Sequence, residues 1–229
     1  ARLLETLTPS SSLWQASDVA HQRDVWRAET EVERPGIIAI VEALRAVVPE
    51  NAMIYSDMTQ FAYVANEVWP MTRPKHWHHP SGFGTLGYAL PAAIGGATAR
   101  PSHPTMAIAG DYGFQYSVQE LGAAVELGQA LPVILWDNGK LKEIEDSMRS
   151  AQIAPNAVIA KNPDFMSLAK AYGANAVAPA TFAELRQAVT EAFAADGPMR
   201  RPTKRVNHLL YGASRPRGWC ACSDYWRDD

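Results

Sequence analysis

Between residues 36 and 195, short apolar runs alternate with longer segments whose apolar positions follow the helical period. The short runs predict four strands, at 53–57, 105–111, 131–138 and 174–178. The longer segments predict helices at 37–48, 86–99, 117–128, 162–173 and 181–195. Strands that alternate with helices predict an α/β fold with a mainly parallel sheet and helices on both faces.

Three of the predicted helices begin with capping sequences. Ser117 with Glu120, and Thr181 with Glu184, have the spacing of a capping box. Asn162 is predicted to be the N-cap of the helix between them, because a proline follows it at the first helical position.

Composition restricts the class of protein. The 229-residue chain has 47% hydrophobic and 20% charged residues, an ordinary balance for a globular protein. Its formal net charge of −3 argues against nucleic acid or an anionic membrane as a partner. No apolar run approaches the roughly 20 residues that span a bilayer. With two cysteines and no recognisable signal peptide, the sequence predicts a cytoplasmic protein.

Three segments differ in composition. Residues 1–34 are polar, with a predicted helix from Ser17 to Glu33, and a Pro-Gly pair then marks a boundary. The α/β pattern occupies residues 35–197. Residues 198–229 carry seven basic and three acidic residues without a helix or strand period, so we expect an aberrant, disordered tail. A tail that binds nucleic acid or a membrane surface is the alternative.

The stretch GFGTLG, residues 82–87, has the G-x-G-x-x-G spacing of a dinucleotide-binding loop. Such a loop follows a buried strand and precedes, by about 20 residues, an acid that binds the ribose. Here the preceding RPKHWHHPS is unlike a buried strand, and the first acid after Gly87 is Asp111. An NAD-binding dehydrogenase is therefore the weaker interpretation. The glycines still indicate close approach of the backbone to some ligand.

Polar residues follow two of the predicted strands. Asp111 ends the predicted strand at 105–111, and Asn138 ends the strand at 131–138. One helix lies between them, so a crossover connection brings both side chains to the same edge of a parallel sheet. A carboxylate and an amide oxygen are hard ligands that suit Mg²⁺ and a phosphate group. The alternative is that each motif is merely a turn.

These motifs, together with others in the same order, resemble those of thiamine diphosphate enzymes. The resemblance covers residues 35–195 and is greatest to the acetolactate synthase and 2-oxo acid decarboxylase branch. The segments KEIEDSMRSAQIAP and DMTQFAY look closer to decarboxylases of 5-guanidino-2-oxopentanoate (2-ketoarginine). The blocks that carry the resemblance are DMTQFAY, SGFGTLGYALPAAIGG, GDYGFQYSVQELGAAVELG, PVILWDNGK and NPDFMSLAKAYG.

The resemblance implies thiamine diphosphate and Mg²⁺ as cofactors. The side chains of Asp111 and Asn138 and the carbonyl of Lys140 would be the metal ligands, and the amides of Tyr112 and Gly113 would hold the diphosphate. The full set of cofactor-binding residues that it implies is Met58, Thr59, Gln60, Phe61, Gly84, Thr85, Leu86, Gly110, Asp111, Tyr112, Gly113, Asn138 and Lys140.

Within this set, GFGTLG takes the role of the loop that binds the aminopyrimidine ring. The resemblance implies that the carbonyl of Gly84 faces the amino group of this ring and that the amide of Leu86 faces a ring nitrogen. It also implies that the Leu86 side chain bends the cofactor into a V shape. Gln60 and the backbone beside it would make a second contact with the diphosphate.

The sequence departs from the family pattern at three positions. Tyr112 stands where the family has glycine or alanine, although Gly113 follows it. Asp137 replaces the first asparagine of the family's pair, and Lys142 stands where many synthases have glycine. These changes bear on the efficiency of the site rather than on the fold.

The resemblance also sets expectations for the whole protein. The family's catalytic glutamate lies on a pyrimidine-binding domain of a partner subunit, so no catalytic residue is assigned in this chain. We expect a fragment of a homodimeric or homotetrameric enzyme that decarboxylates a small-molecule 2-oxo acid, with any FAD bound outside the fragment. Residues 1–34 would then be a remnant of the central domain and its linker. The alternative is a catalytically inactive, truncated or frameshifted relic that binds the cofactor weakly.

Other polar clusters have simpler interpretations. His76, His78 and His79 lack a fourth ligand for structural zinc, so we expect an exposed loop in which some of them line a substrate cavity. Glu143 and Glu145 are expected on a solvated helix face, with contact to a cationic substrate group as the alternative. The pair of Cys220 and Cys222 is not expected to bind a metal or to act as a redox site, and it lies outside the residues that the structure describes.

Overall fold

A computed structural model describes residues 14–128 and 130–194, and the backbone of 208–213. The strands within these residues form one sheet with the order β2-β1-β3-β4-β6-β5, and every neighbouring pair is parallel. The predicted fold class is confirmed. The strands are β1 (Met53–Ser56), β2 (Trp77–His78), β3 (Thr105–Gly110), β4 (Val133–Asp137), β5 (Asn175–Val177) and β6 (His208–Ala213).

Helices connect the strands, as the alternating pattern predicts. In chain order they are α1 (Ala16–Glu33), α2 (Ile37–Arg45), α3 (Gln60–Val68), α4 (Ala89–Ala99), α5 (Asp111–Tyr116), α6 (Glu120–Leu127), α7 (Lys142–Ser150), α8 (Phe165–Ala171) and α9 (Phe182–Ala194).

The core consists of two apolar layers, one on each face of the sheet. Side chains along a strand point alternately to opposite faces, so Ile108 and Ile134 lie in one layer while Ala109 and Leu135 lie in the other. Helices α2, α3 and α9 contribute to the first layer, and α4, α5, α6 and α8 to the second. All residues of β1, β3 and β4 are buried, so their carboxyl ends lie at fixed positions.

Two of the predicted helix caps are wrong. Residues 117–128 do not form one helix from Ser117: this residue ends α5, and α6 follows with Gln119 as an N-cap that makes no side-chain bond. Helix α8 is capped by Asp164 rather than Asn162, and the Asp164 carboxylate accepts a bond from the amide of Ser167 at 3.0 Å. Asn162 instead bonds to Asp111 at the end of β3.

The predicted N-cap of the last helix, Thr181, is confirmed, whereas the reciprocal bond of the capping box goes to Ala180 rather than to Thr181. The hydroxyl of Thr181 accepts a bond from the amide of Glu184 at 3.1 Å. The Glu184 carboxylate reaches back to the amide of Ala180, at 2.6 Å. This helix therefore begins where the capping box indicates.

Six residues of the basic C-terminal segment form a strand. Residues 208–213 pair with β4 on one side and with β5 on the other. We expected no regular structure in 198–229, and for these six residues that expectation is wrong, because their backbone joins two strands of the sheet. The other residues of the segment, 198–207 and 214–229, lie outside the described residues.

The segment before GFGTLG contains the two-residue strand β2, which lies at the edge of the sheet and is half-buried. It is not the buried central strand that a dinucleotide fingerprint requires. Among the helices that the structure describes, none is both long and apolar enough to cross a lipid bilayer.

Replacing Gly96 in α4 by alanine should destabilise the protein by about 1–3 kcal/mol through overpacking. A Cβ at this position would lie 2.2 Å from the hydroxyl oxygen of Tyr55. The Tyr55 ring cannot easily move, because it is buried and stacks on His78 with 4.6 Å between ring centroids. The free energy of unfolding in urea would measure the loss.

The matched control is the neighbouring substitution Gly95→Ala. A Cβ there would meet no atom within 4 Å, so the higher helix propensity of alanine should stabilise the protein by about 0.5–1 kcal/mol. Equal effects of the two substitutions would contradict the described packing of α4 on β1.

Candidate functional site

The carboxyl ends of β3 and β4 meet at one edge of the sheet. Gly110 at the end of β3 pairs in register with Trp136 of β4. Asp111 follows β3 directly and is 3% exposed, while Asp137, the last residue of β4, is 8% exposed. The structure therefore brings the Asp111 and Asn138 segments to the same edge, as the crossover spacing predicts.

Asn162 joins these two strand ends. Its side-chain nitrogen donates to Oδ2 of Asp111 and to Oδ1 of Asp137, both at 2.7 Å. Its amide oxygen accepts from Gln115 at 3.1 Å. An amide nitrogen has two hydrogens, and here each has a carboxylate acceptor. Sequence analysis assigned this residue to a helix cap. The sequence offered one signal that Asn162 is free for another role: Asp164, two residues later, can also cap the same helix.

The two carboxylates repel each other. Burial raises the pKa of Asp111 to about 6, and the negative charge of Asp137 contributes to this rise, although hydrogen bonds from Asn162 and from the amide of Tyr112 oppose it. A cation at this edge would remove the repulsion. Two buried carboxylates and the Asn138 amide oxygen are hard donors, and such a set fits Mg²⁺.

The loop that follows β4 is held in place by hydrogen bonds from its backbone amides to two side chains. The amide of Gly139 donates to Oδ1 of Asp137 at 2.9 Å, and the amide of Lys140 donates to Oδ1 of Asn138 at 3.2 Å. On its other side, the loop pairs with an antiparallel segment through a bridge between Lys140 and Ile159. These bonds fix the backbone of the two predicted ligands in this loop, Asn138 and Lys140, relative to Asp137.

Asp57 anchors the GFGTLG loop to the end of β1. This carboxyl group is 1% exposed and accepts bonds from the amides of Gly87 and Tyr88, at 3.0 and 2.9 Å. Burial raises the pKa of Asp57, and these amide bonds act in the opposite direction. Sequence analysis did not single out Asp57. Its position directly after a buried strand was the signal that could have identified it.

Asp57 also explains why residue 113 is glycine. A Cβ on Gly113 would lie 2.2 Å from Oδ2 of Asp57 and 3.3 Å from the amide nitrogen of Gly87. The loops after β1, β2 and β3 therefore touch at one point that leaves no space for a side chain. The Tyr112 amide, predicted to bind diphosphate, donates to Oδ1 of Asp111 at 3.0 Å.

The predicted aminopyrimidine loop is accessible. Gly84 and Thr85 are exposed and Leu86 is half-buried. A Cβ on Gly84 would meet only Met58, at 3.8 Å, so its backbone angle φ of +65° rather than crowding favours glycine.

The four predicted residues at the start of α3 have different environments. Met58 and Gln60 are half-buried, and Thr59 lies against Gly110. Phe61 is fully buried and packs on Trp136, with 5.9 Å between ring centroids. The Phe61 side chain therefore belongs to the core, and only its backbone faces the loops.

The three histidines are half-buried and have separate partners, whereas we expected an exposed loop. His76 lies 2.9 Å from the carbonyl of Pro74, and His78 stacks on Tyr55. The Nδ1 atom of His79 lies 2.9 Å from the hydroxyl of Ser56, and burial lowers the pKa of this histidine.

Of the two glutamates of α7, Glu145 does not lie on a solvated face. Glu145 is buried and forms ion pairs with Lys140 at 2.9 Å and Arg149 at 2.7 Å. Hydrogen bonds from these two residues hold the pKa of Glu145 at about 2, against the effect of burial. The ion-pair partners of Glu145 therefore belong to this chain, and the prediction that Glu145 faces solvent is wrong.

Glu143 has a comparable internal partner. It lines an open cavity of about 530 Å³ whose other lining residues are Arg34, Tyr63, Asn66 and Glu67. Burial tends to raise the pKa of Glu143, but hydrogen bonds from Arg34 and Gln60 and the charge of Arg34 hold it below its usual range. Glu143 is therefore paired with Arg34 of the same chain, and not with a cationic group of a substrate.

The fold and this edge define a class of protein: a parallel α/β domain with glycine-containing loops and hard oxygen donors at the carboxyl ends of its strands. Residues 57–200, more than half of the chain, match the family described as "Thiamine pyrophosphate enzyme, C-terminal TPP binding domain". The chain therefore belongs to the thiamine pyrophosphate enzymes and contains their C-terminal cofactor-binding domain.

Similar curated proteins are enzymes of this family. The chain is 41% identical over 160 residues to "Probable 2-ketoarginine decarboxylase AruI" of Pseudomonas aeruginosa, covering 69% of this chain and 29% of that protein. It is 31% identical over 202 residues to the acetolactate synthase large subunit of Haemophilus influenzae, covering 83% of this chain and 34% of that one. The chain thus spans about a third of the length of these relatives.

A solved structure has the same fold. The thiamine diphosphate-dependent 4-hydroxybenzoylformate decarboxylase of Rhodococcus jostii RHA1 superposes with a TM-score of 0.67 at 22% identity. The match covers 77% of this chain and 32% of that one.

Replacing Asn162 by alanine should destabilise the protein by about 2–4 kcal/mol, because it removes both hydrogen-bond donors from two buried carboxylates. Urea unfolding would measure the loss. The control is Asn156→Ala at an exposed position, which should change stability by less than about 0.5 kcal/mol. A loss at Asn162 no larger than that of the control would contradict its bridging role.

Replacing Glu145 by glutamine should reduce stability at neutral pH. The lowered pKa of about 2 means that the folded state favours the ionised carboxylate. This contribution is complete above the ordinary pKa of 4.5 and is lost as the pH falls toward 2. The stability difference between the parent and the variant should therefore shrink over that interval. Glu126→Gln, at an exposed position, is the matched control. A stability difference for Glu145→Gln that stays constant over this interval would refute the ion-pair assignment.

Proposed function

We propose that this chain supplies the diphosphate- and Mg²⁺-binding half of an active site that decarboxylates a 2-oxo acid. The observation that carries the proposal is the convergence of Asp111, Asp137 and Asn138 at one sheet edge, where a cation would relieve carboxylate repulsion. Membership of the thiamine pyrophosphate enzymes supports the choice of cofactor.

In this proposal, the residues at the two strand ends hold the metal. Side-chain oxygens of Asp111 and Asn138 and the carbonyl oxygen of Lys140 bind Mg²⁺. Asp137 balances charge and positions the loop, because its carboxylate already accepts from Asn162 and Gly139. The amides of residues 112 and 113 and the segment 58–61 contact the diphosphate, which requires Tyr112 to release its bond to Asp111.

The GFGTLG loop orients the other end of the cofactor. The carbonyl of Gly84 and the amide of Leu86 would meet the aminopyrimidine, and the Leu86 side chain would lie against the cofactor. Asp57 fixes the end of this loop against the diphosphate loop, so it sets the spacing of the two contacts. When bound, thiamine diphosphate supplies the nucleophilic carbon and the electron sink for loss of CO₂ from a 2-oxo acid.

The proposed substrate is a 2-oxo acid, and the proposed assembly is a homo-oligomer. Two relatives are named for 2-ketoarginine decarboxylation and acetolactate synthesis, and both activities start from 2-oxo acids. We propose a homodimer or homotetramer in which a partner subunit supplies a pyrimidine domain with the catalytic glutamate. Residues 1–34 would be a remnant of the central domain, and FAD would lie outside the fragment.

Calorimetric titration of thiamine diphosphate in excess Mg²⁺ tests the cofactor site. The parent chain should bind, and Asp111→Asn should weaken binding by more than about tenfold because a charged ligand is lost. The variant should fold at least as stably, since one of two repelling carboxylates is gone. Asp146→Asn is the control, because it removes the same charge from a side chain that is 48% exposed.

Equal binding by Asp111→Asn and the parent would overturn the site, and binding of NAD instead would favour the dehydrogenase interpretation. Adding a separately expressed pyrimidine domain and measuring CO₂ release from pyruvate or 2-ketoarginine tests the reaction. Cofactor binding without CO₂ release from any 2-oxo acid would favour the alternative of an inactive relic.

A further inference from the structure

A line of hydrogen bonds runs from the end of α1 to the loop after β4. Arg34, the C-cap of α1, donates through Nε to Oε1 of Glu143 at 3.2 Å and through Nη2 to Oε2 at 3.3 Å. The Arg34 side chain is 13% exposed, and its guanidinium lies 5.9 Å from the centre of the Tyr63 ring. The Glu143 side chain is 38% exposed, so this bidentate pair is better fixed than one in which both side chains are exposed.

The line continues through two amides. Nε2 of Gln60 donates to Oε1 of Glu143 at 2.9 Å. Oε1 of Gln60 accepts from Nδ2 of Asn138 at 3.4 Å, a long contact. Oδ1 of Asn138 accepts from the backbone amide of Lys140. Four side chains, Arg34, Glu143, Gln60 and Asn138, thus form one series of donors and acceptors.

The ends of this series determine the orientation of both amides. A guanidinium only donates and an ionised carboxylate only accepts. Glu143 therefore requires Gln60 to present its NH₂ group, which leaves the Gln60 oxygen facing Asn138. Asn138 must then present its own NH₂ group to Gln60, and its oxygen points away from Gln60. If the Asn138 amide turned over, an NH₂ group would replace the oxygen and would repel a cation.

We propose that Glu143, held by Arg34, is a positioning residue for the metal site: through Gln60, and together with the backbone amide of Lys140, it holds the amide orientation of Asn138. This rests on the proposed role of Asn138 as a metal ligand. It gives the segment before Pro35 a direct connection to that ligand, because Arg34 is the first member of the series. It also assigns Glu143 to the cofactor site rather than to a cationic substrate group.

Glu143→Gln tests the proposal, because a carboxamide can present either an oxygen or an NH₂ group to Gln60. In the parent background, this substitution should weaken Mg²⁺ binding by about tenfold in the presence of saturating thiamine diphosphate, measured by calorimetry. Glu42→Gln is the matched control. It removes the partner of Arg27, another arginine of α1, at an exposed pair remote from the series, and should leave Mg²⁺ affinity within about twofold.

Repeating the Glu143→Gln substitution in an Asn138→Asp variant distinguishes an effect on amide orientation from a general loosening of the loop. In Asn138→Asp, the residue has no NH₂ group, and the Gln60 oxygen that Glu143 holds in place opposes the new carboxylate. Adding Glu143→Gln lets Gln60 turn and donate to that carboxylate. The second substitution should therefore leave Mg²⁺ affinity unchanged or improve it. In metal-free protein, the double variant should be more stable to urea than the sum of the two single losses predicts.

Each outcome decides a different claim. Additive losses of stability, or equal weakening of Mg²⁺ binding by Glu143→Gln in both backgrounds, would overturn the orientation role. A parent chain that binds no Mg²⁺ with thiamine diphosphate would overturn the proposed function and the metal role together. In that case, non-additive stability in metal-free protein would show that the hydrogen-bond series exists but serves no cation.

Discussion

The site depends on three carboxyl groups that are buried at the ends of neighbouring parallel strands. Asp57, Asp111 and Asp137 follow or end β1, β3 and β4, and none is more than 8% exposed. Burying a carboxylate is costly unless hydrogen-bond donors replace water. The three carboxyl groups therefore require hydrogen-bond donors from other parts of the chain, and the loops of the site are held at the sheet edge by those donors.

The donors come from distant parts of the sequence. Asp57 uses the amides of Gly87 and Tyr88, which closes the GFGTLG loop onto β1. Asp111 and Asp137 share the side chain of Asn162, which lies just before α8. The absence of a side chain at Gly113 lets these contacts approach one another. Two polar clusters, one around Asp57 and one around Asn162, thus hold the proposed pyrimidine loop and the metal edge, and close packing at Gly113 brings the proposed diphosphate loop against the first cluster.

Local sequence patterns were sufficient to predict the central strands of the sheet and the proximity of two strand ends. Strands β1, β3 and β4 are apolar runs because they are buried on both faces, and such runs are visible without any partner. The proximity of the Asp111 and Asn138 segments followed from crossover geometry. Asn162 could not be assigned in this way, because its acceptors are fixed only once the helix and both strands have packed.

The same limit explains the other errors. Glu145 has the sequence pattern of a solvated helix, but Lys140 and Arg149 make its burial favourable. Residues 208–213 have a polar, basic context, yet β4 and β5 offer backbone partners that the local pattern does not reveal. In each case, a tertiary contact outweighed the local preference.

Localising a bound cation tests the central claim most directly. Mn²⁺ can replace Mg²⁺ in sites with oxygen ligands, and it broadens the NMR signals of nearby nuclei. With thiamine diphosphate present, substoichiometric Mn²⁺ should broaden the amide signals of residues 111–113 and 138–140 first, and those of α9 should stay sharp. Broadening that begins elsewhere, for example around His76, or no selective broadening at all, would contradict a metal site built on the ends of β3 and β4.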